Sequence, residues 1–224
     1  MNKVLACIIA IVLVFLIPFK VLATDYNFPP TTDGQIADAL SRIVPVRFLE
    51  SNPLFFVISI KEDVTGFFKP SSAKKAEFEM IVCGKRIKEA YTLSQKSDVK
   101  NTSRALKLYS DRVDAMINQL KRARSQNQDT ENLVGEMAEN LRIHETLLAA
   151  INHENIGDAY DFSANFDAAV SAHTKAVFAL NDIQPGIKDR FVLTKEASVS
   201  ATPAPSPSPY LEATPSVKPK RIIY

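Results

Sequence analysis

Three histidines, two cysteines and a scatter of paired acids are the residues of this chain with chemistry to offer. A metal ion needs imidazole, thiolate or carboxylate groups brought to one face of an element. His144 and His153 stand nine residues apart, which puts them on opposite sides of any helix that contains both. With His173 they read as core or rim histidines rather than ligands. Paired acids such as Glu77 and Glu79, or Asp158 and Asp161, are ordinary on solvated helices, whereas acid–base chemistry needs them held in reach of a substrate proton. The chain contains no G-x-S-x-G elbow, no glycine-rich phosphate loop, no H-E-x-x-H helix and no cysteine pair at metal spacing. No catalytic, cofactor-binding or metal-binding residue is therefore predicted, and the chain reads as non-enzymatic.

Charge gives a different kind of signal. Net charge is only +2, but residues 61–125 carry fifteen Lys/Arg against eight Asp/Glu, and residues 126–182 carry two against ten. Such a division suits basic helices packed beside acidic ones, each exposed pair adding at most about 1 kcal/mol. It also suits a basic face for an anionic polymer or surface, and Lys74, Lys75, Lys85, Arg86 and Lys88 are the residues that would form it. Nucleic acid is a poor candidate partner, because acids interrupt the basic run throughout.

The elements that would position these groups are helical. Six glycines, no tryptophan and little period-two patterning argue against strands and hairpins. The stretch Ser51 to Ala90 is expected to organise the rest. Ser51 or Asn52 caps a helix whose first turn holds Pro53, and apolar residues spread so widely between Leu54 and Phe68 that this helix demands cover on more than one side. Pro70 ends it, and Ser71 or Ser72 starts a second helix reaching about Lys96.

Apolar residues then recur at three and four. Met80, Gly84, Ile87 and Tyr91 make one seam, and Leu106, Tyr109, Val113, Met116 and Leu120 make the next on a helix from Lys100 to Gln126. Asp129 caps a fourth helix aligned on Val134, Met137, Leu141, His144, Leu148 and Ile151. A fifth, from Asp158 to Asn181, aligns Phe162, Phe166, Val170, His173, Val177 and Leu180. The predicted fold is all-α, an elongated bundle of antiparallel amphipathic helices arranged as helical hairpins.

The ends differ in character. Residues 1–23 read as a signal peptide: Lys3, an apolar run from Val4 to Ile17, and cleavage between Ala23 and Thr24. An uncleaved N-terminal anchor is the alternative. Export with one remaining cysteine, Cys83, leaves no internal disulfide, and its apolar surroundings predict a buried structural thiol. Residues 24–50 read as an extended leader with a brief helix from Asp33 to Val44, residues 51–183 as the bundle, and residues 184–224 as a Pro/Ser/Thr-rich disordered tail.

Four runs carry a family resemblance: N-P-L-F-F-V-I-S-I-K-E, G-F-F, K-P-S-S-A-K-K-A-E-F-E-M and K-R-I-K-E-A. Together they resemble the domain of unknown function 5667 family of exported or membrane-anchored bacterial proteins. The likeness falls at Ser51 to Phe56, Lys61-Glu62, Phe67 to Pro70 and Lys74 to Glu77, and departs at Val57-Ile58 and Cys83-Gly84. It implies fold and location rather than chemistry. The expectation is an extracytoplasmic helical interaction or scaffold protein with a protein partner in the cell envelope, or else an electrostatic module for an anionic envelope polymer or membrane surface.

Overall fold

The computed structural model describes Tyr26, Phe28 and residues 30–153 and 161–194. The predicted signal segment with its Ala23–Thr24 cleavage point, residues 154–160 and the proline-rich stretch from Ala201 onward lie outside the described residues. Among the described residues there is no strand. The helices are α1 (Asp33–Arg42), α2 (Phe55–Phe67), α3 (Ser72–Ser94), α4 (Val99–Ser125), α5 (Glu131–His153) and α6 (Phe162–Asn181), followed by a short 3-10 turn, Lys188–Arg190.

Each start has a local cause. Thr32 and Gln35 form a capping box on α1: the Gln35 N–H donates to Thr32 Oγ1 and the Thr32 N–H to Gln35 Oε1. After Pro70, Ser71 Oγ accepts from the Lys74 N–H at 3.2 Å and opens α3. Asp98 Oδ1 accepts from the Asn101 N–H at the head of α4, and Asp129 Oδ1 from the Glu131 N–H at the head of α5. Ser97 and Asn127, at φ 55° and 53°, turn the chain after α3 and α4. At the head of α2 the structure departs from expectation. Leu54 holds the cap position without a side-chain bond, and Asn52 Oδ1, two residues before it, accepts from the Leu54 N–H.

Helices α3, α4, α5 and α6 form a bundle in which α3 packs on α4 and α5, and α6 packs on α4 and α5. The seams read from the sequence are its core. Leu106, Tyr109, Val113, Met116 and Leu120 are buried, as are Val134, Met137, Leu141, Leu148 and Ile151 and the whole α6 row from Phe162 to Leu180. Tyr91 alone of the aligned residues stands half-buried at the rim.

Both flanks of the bundle belong to it. Residues 24–50 are more than a leader: α1 packs on α5, Ala39 and Ile43 are buried, and Phe28 meets the Phe166 ring edge-on. Lys88 Nζ secures the end of α1 by donating to the carbonyls of Leu40 at 2.6 Å and Ile43 at 3.2 Å. Residues 184–194, grouped with the tail on composition, place Ile187, Phe191 and Leu193 in the core. The composition was diluted there by Pro185, Gly186 and charged residues that sit on the outside.

The expectation for α2 needs correcting. It was to be covered on more than one side and to organise the bundle; it lies on the outside, against α3. Phe55 and Glu62 are its only buried residues, while Leu54, Phe56, Val57, Ile60, Val64, Phe67 and Phe68 are 49–76% exposed. A carboxylate faces in and the apolar stripe faces out, the reverse of an ordinary surface helix.

Candidate functional site

The inward face of α2 shapes the site. Glu62, about two turns into the helix, enters the interior because Arg86 and Lys85 of α3 await it there. Arg86 NH2 donates to Glu62 Oε2, Lys85 Nζ donates to Glu62 Oε1 at 3.1 Å, and Arg86 NH1 donates to Glu89 Oε2 at 3.1 Å. The Arg86 guanidinium also lies over the Phe55 ring, 4.6 Å from its centroid. Behind them, Glu50 is buried with Arg104 Nε 2.7 Å away. Burial raises the Glu50 carboxyl above its usual range against the pull of Arg104, and raises Glu89 to about 7 against the pull of Arg86. Two further contacts hold α2 down. Arg112 of α4 bridges Asp63 and Glu79, and Gly66 lies so close to Phe78 that a Cβ there would stand 3.1 Å from the ring.

Beside this ion cluster lies a cavity of about 360 Å³. The connection between α1 and α2 supplies Val44, Pro45, Val46, Arg47 and Phe48; α2 supplies Ile58, Lys61, Glu62 and Thr65; α3 supplies Phe78, Lys85 and Arg86. Its walls are mostly apolar, with four cations and one carboxylate among them. That carboxylate is already engaged by Lys85 and Arg86.

The five basic residues singled out in the sequence are thus scattered in role. Arg86 is a buried strut, 3% exposed, and cannot form part of an exposed basic face. Lys88 is committed to α1 carbonyls. Lys85 lines the cavity. Lys74 pairs with Glu77 at 2.6 Å in a groove with Asp129 and Glu136, which holds its amine above the usual range, the Glu77 hydrogen bond being the main cause. Lys75 stands 5.7 Å from the exposed Phe67 ring. Arg47, Lys61 and Lys69 were missed. Their signal is proximity in sequence to α2, masked because the basic residues cluster more densely along α3.

His144 and His173 are in the core. His173 Nε2 donates to the Leu141 carbonyl at 2.9 Å, with Phe191 against its ring, and His144 lies edge-on to Tyr109. Burial lowers His144 to about 3 and His173 to about 4, so both are neutral. Neither lines a described cavity, and among the described residues no group of three His, Cys, Asp or Glu could hold a metal ion. Cys83 is fully buried, and burial raises its thiol well above the usual value.

These features define a helical-bundle protein with a cation-lined apolar cavity beneath an outward-facing apolar helix. No protein-family model matches the chain, and no curated protein or solved structure matches it at a significant level. Among the described residues no helix is long and apolar enough to cross a membrane.

Proposed function

We propose that the protein is a non-enzymatic helical interaction module working outside the cytoplasm, and that it docks through α2 onto an anionic lipid surface of the cell envelope. The observation that carries this is the outward stripe of Phe56, Val57, Ile60, Val64, Phe67 and Phe68, each about half exposed or more. Monomeric proteins rarely leave so continuous an apolar patch in water. Lys61, Lys69 and Lys75 flank it, Lys69 reaching over Phe78 and Lys75 over Phe67, so that the stripe carries its own cationic border. Apolar residues bordered by lysine are what an interfacial helix presents to anionic lipid. Burying six such side chains is worth on the order of 5 kcal/mol before the losses of association, and each lysine near the surface adds about 1 kcal/mol.

The reading draws further support from the sequence, where residues 51–90 resemble a family of exported or membrane-anchored proteins and residues 1–23 resemble an export signal. The helices then belong to hairpins. Ser72 Oγ meets Gln126 Oε1, and the Ala73 N–H meets Gln128 Oε1, so the start of α3 lies at the end of α4.

Vesicle co-sedimentation tests the proposal. The purified protein is expected to bind phosphatidylglycerol vesicles, to bind phosphatidylcholine vesicles several-fold less, and to lose affinity as salt rises. A Phe67→Ser/Phe68→Ser variant should lose most of the binding with its helicity intact. Unchanged binding by that variant defeats the proposal. A site-specific cross-link from position 60 or 64 to one protein, with no lipid binding, would place a protein partner on α2 instead and return the chain to the scaffold reading.

A further inference from the structure

The cavity beneath α2 has apolar walls and, Lys61 apart, charges that the docking face does not use. We propose that it is a binding site for an amphiphilic anion, a molecule with a carboxylate or phosphate head on a single alkyl body.

Three observations converge on that chemistry. Val44, Val46, Phe48, Ile58 and Phe78 give the cavity apolar walls, and its volume of about 360 Å³ falls in the range of small-molecule sites. Arg47, Lys61, Lys85 and Arg86 set four positive charges in the lining against the single carboxylate of Glu62. Arg86 supplies the third. It is 3% exposed, two of its nitrogens are spent on Glu62 and Glu89, and its Nε–H has no acceptor among the described residues. A buried donor left unmatched forfeits its solvation, and native proteins keep few of them. An anionic oxygen is the acceptor that suits a guanidinium best.

The ligand is held as follows. Its alkyl body lies among Ile58, Phe78 and the 44–48 connection, displacing water from apolar surface. Its head lies toward the Arg86 charge and is attracted by Arg47 and Lys61 at the rim, both exposed. The alkyl body alone would not select for charge, and the cations alone would not select for length. Both requirements together define the class. The site is separate from the outward stripe, since Phe67 and Phe68 do not line the cavity.

Calorimetric titration below the micelle concentration tests this with dodecanoate, dodecyl phosphate, dodecanol, acetate and inorganic phosphate. One or both dodecyl anions should bind at one site per chain, whichever binds defining the head group. Dodecanol should bind at least tenfold more weakly, and acetate and inorganic phosphate should give no saturable signal. Arg47→Gln/Lys61→Gln changes two exposed residues; it should weaken the anions about tenfold and leave dodecanol unchanged. Ile58→Trp should block all three alkyl ligands while circular dichroism stays helical. Equal affinity for dodecanol and dodecanoate, or unaltered anion binding by the double variant, overturns the proposal, as does equal binding of acetate or inorganic phosphate. Loss of vesicle binding by the Phe67 and Phe68 variant with dodecanoate binding retained separates this site from the docking face.

Discussion

Glu62 of α2 and Arg86 of α3, twenty-four positions apart in sequence, meet in the interior with their side chains 6% and 3% exposed. The pair fixes which way α2 faces. By taking the charged side of the helix inward, it leaves the apolar side in water.

Glu62→Gln should therefore be costly. Removing one member of a buried ion pair typically destabilises by about 3–5 kcal/mol, because its partner stays buried without compensation. Arg86 keeps Glu89, so the lower end is expected, with a fall in urea midpoint at unchanged slope. A loss below about 1 kcal/mol would mean that the ion pair does not hold α2.

Acid should weaken the fold through its two core histidines. The native imidazoles protonate only near 3 and 4, against an ordinary 6.5, so between those values the unfolded chain binds protons that the native state refuses. Their contribution is complete above pH 6.5 and is lost as pH falls, by up to about 1 kcal/mol per histidine per pH unit. Glu89 opposes them. Its native value near 7 lies above the ordinary 4.5, so it lowers stability as pH rises through that window. Glu50 and Glu79, raised by burial in the same direction, oppose them too, so the histidine contribution is read from substitutions. Between pH 6.5 and 4.5, Glu89→Gln should make the urea midpoint fall more steeply on acidification, and His144→Gln should make it fall less steeply. A pH profile unchanged by His144→Gln counts against the buried neutral histidine.

Gly84→Ala separates helix propensity from packing. Alanine gains about 1 kcal/mol in a helix interior, but a Cβ here would stand 3.3 Å from His144 Nε2 and 3.4 Å from Ile43 Cγ2. Overpacking typically costs about 1–3 kcal/mol, so a net loss of about 1 kcal/mol is expected in thermal or urea unfolding. A gain would show that His144 and α1 give way easily.

Cys83 should resist thiol reagents while the protein is folded. Its side chain is fully buried and its thiol is raised well above the ordinary value, which leaves little thiolate to react. Labelling should follow the unfolding curve in urea; fast labelling in buffer alone would contradict the packing around α3.

The parts of the fold that were legible are those where a local pattern carries the outcome. Val134, Met137, Leu141, His144, Leu148 and Ile151 share one face by spacing alone, and all are buried. Ser71 and Asp129 accept at helix starts where a polar side chain follows a helix break. The apolar character of α2 was equally plain, but its orientation was not, because Glu62 turns inward for a partner that only the fold brings near. The same reason hid the roles of Arg86 and Lys88, which look like surface cations until their acceptors are known. The cavity was illegible for a related cause: its walls come from three separate segments, and Arg47 belongs to one that reads as a connection.

Phe191 rests its ring against His173, and the Leu193 N–H donates to Glu145, so the chain beyond α6 serves as a stopper over one end of the buried imidazole. A protease cut after Ile183 that freed this stopper would let water reach His173. The imidazole would then recover its everyday basicity, and a clipped protein would betray itself by a histidine proton resonance titrating near neutrality.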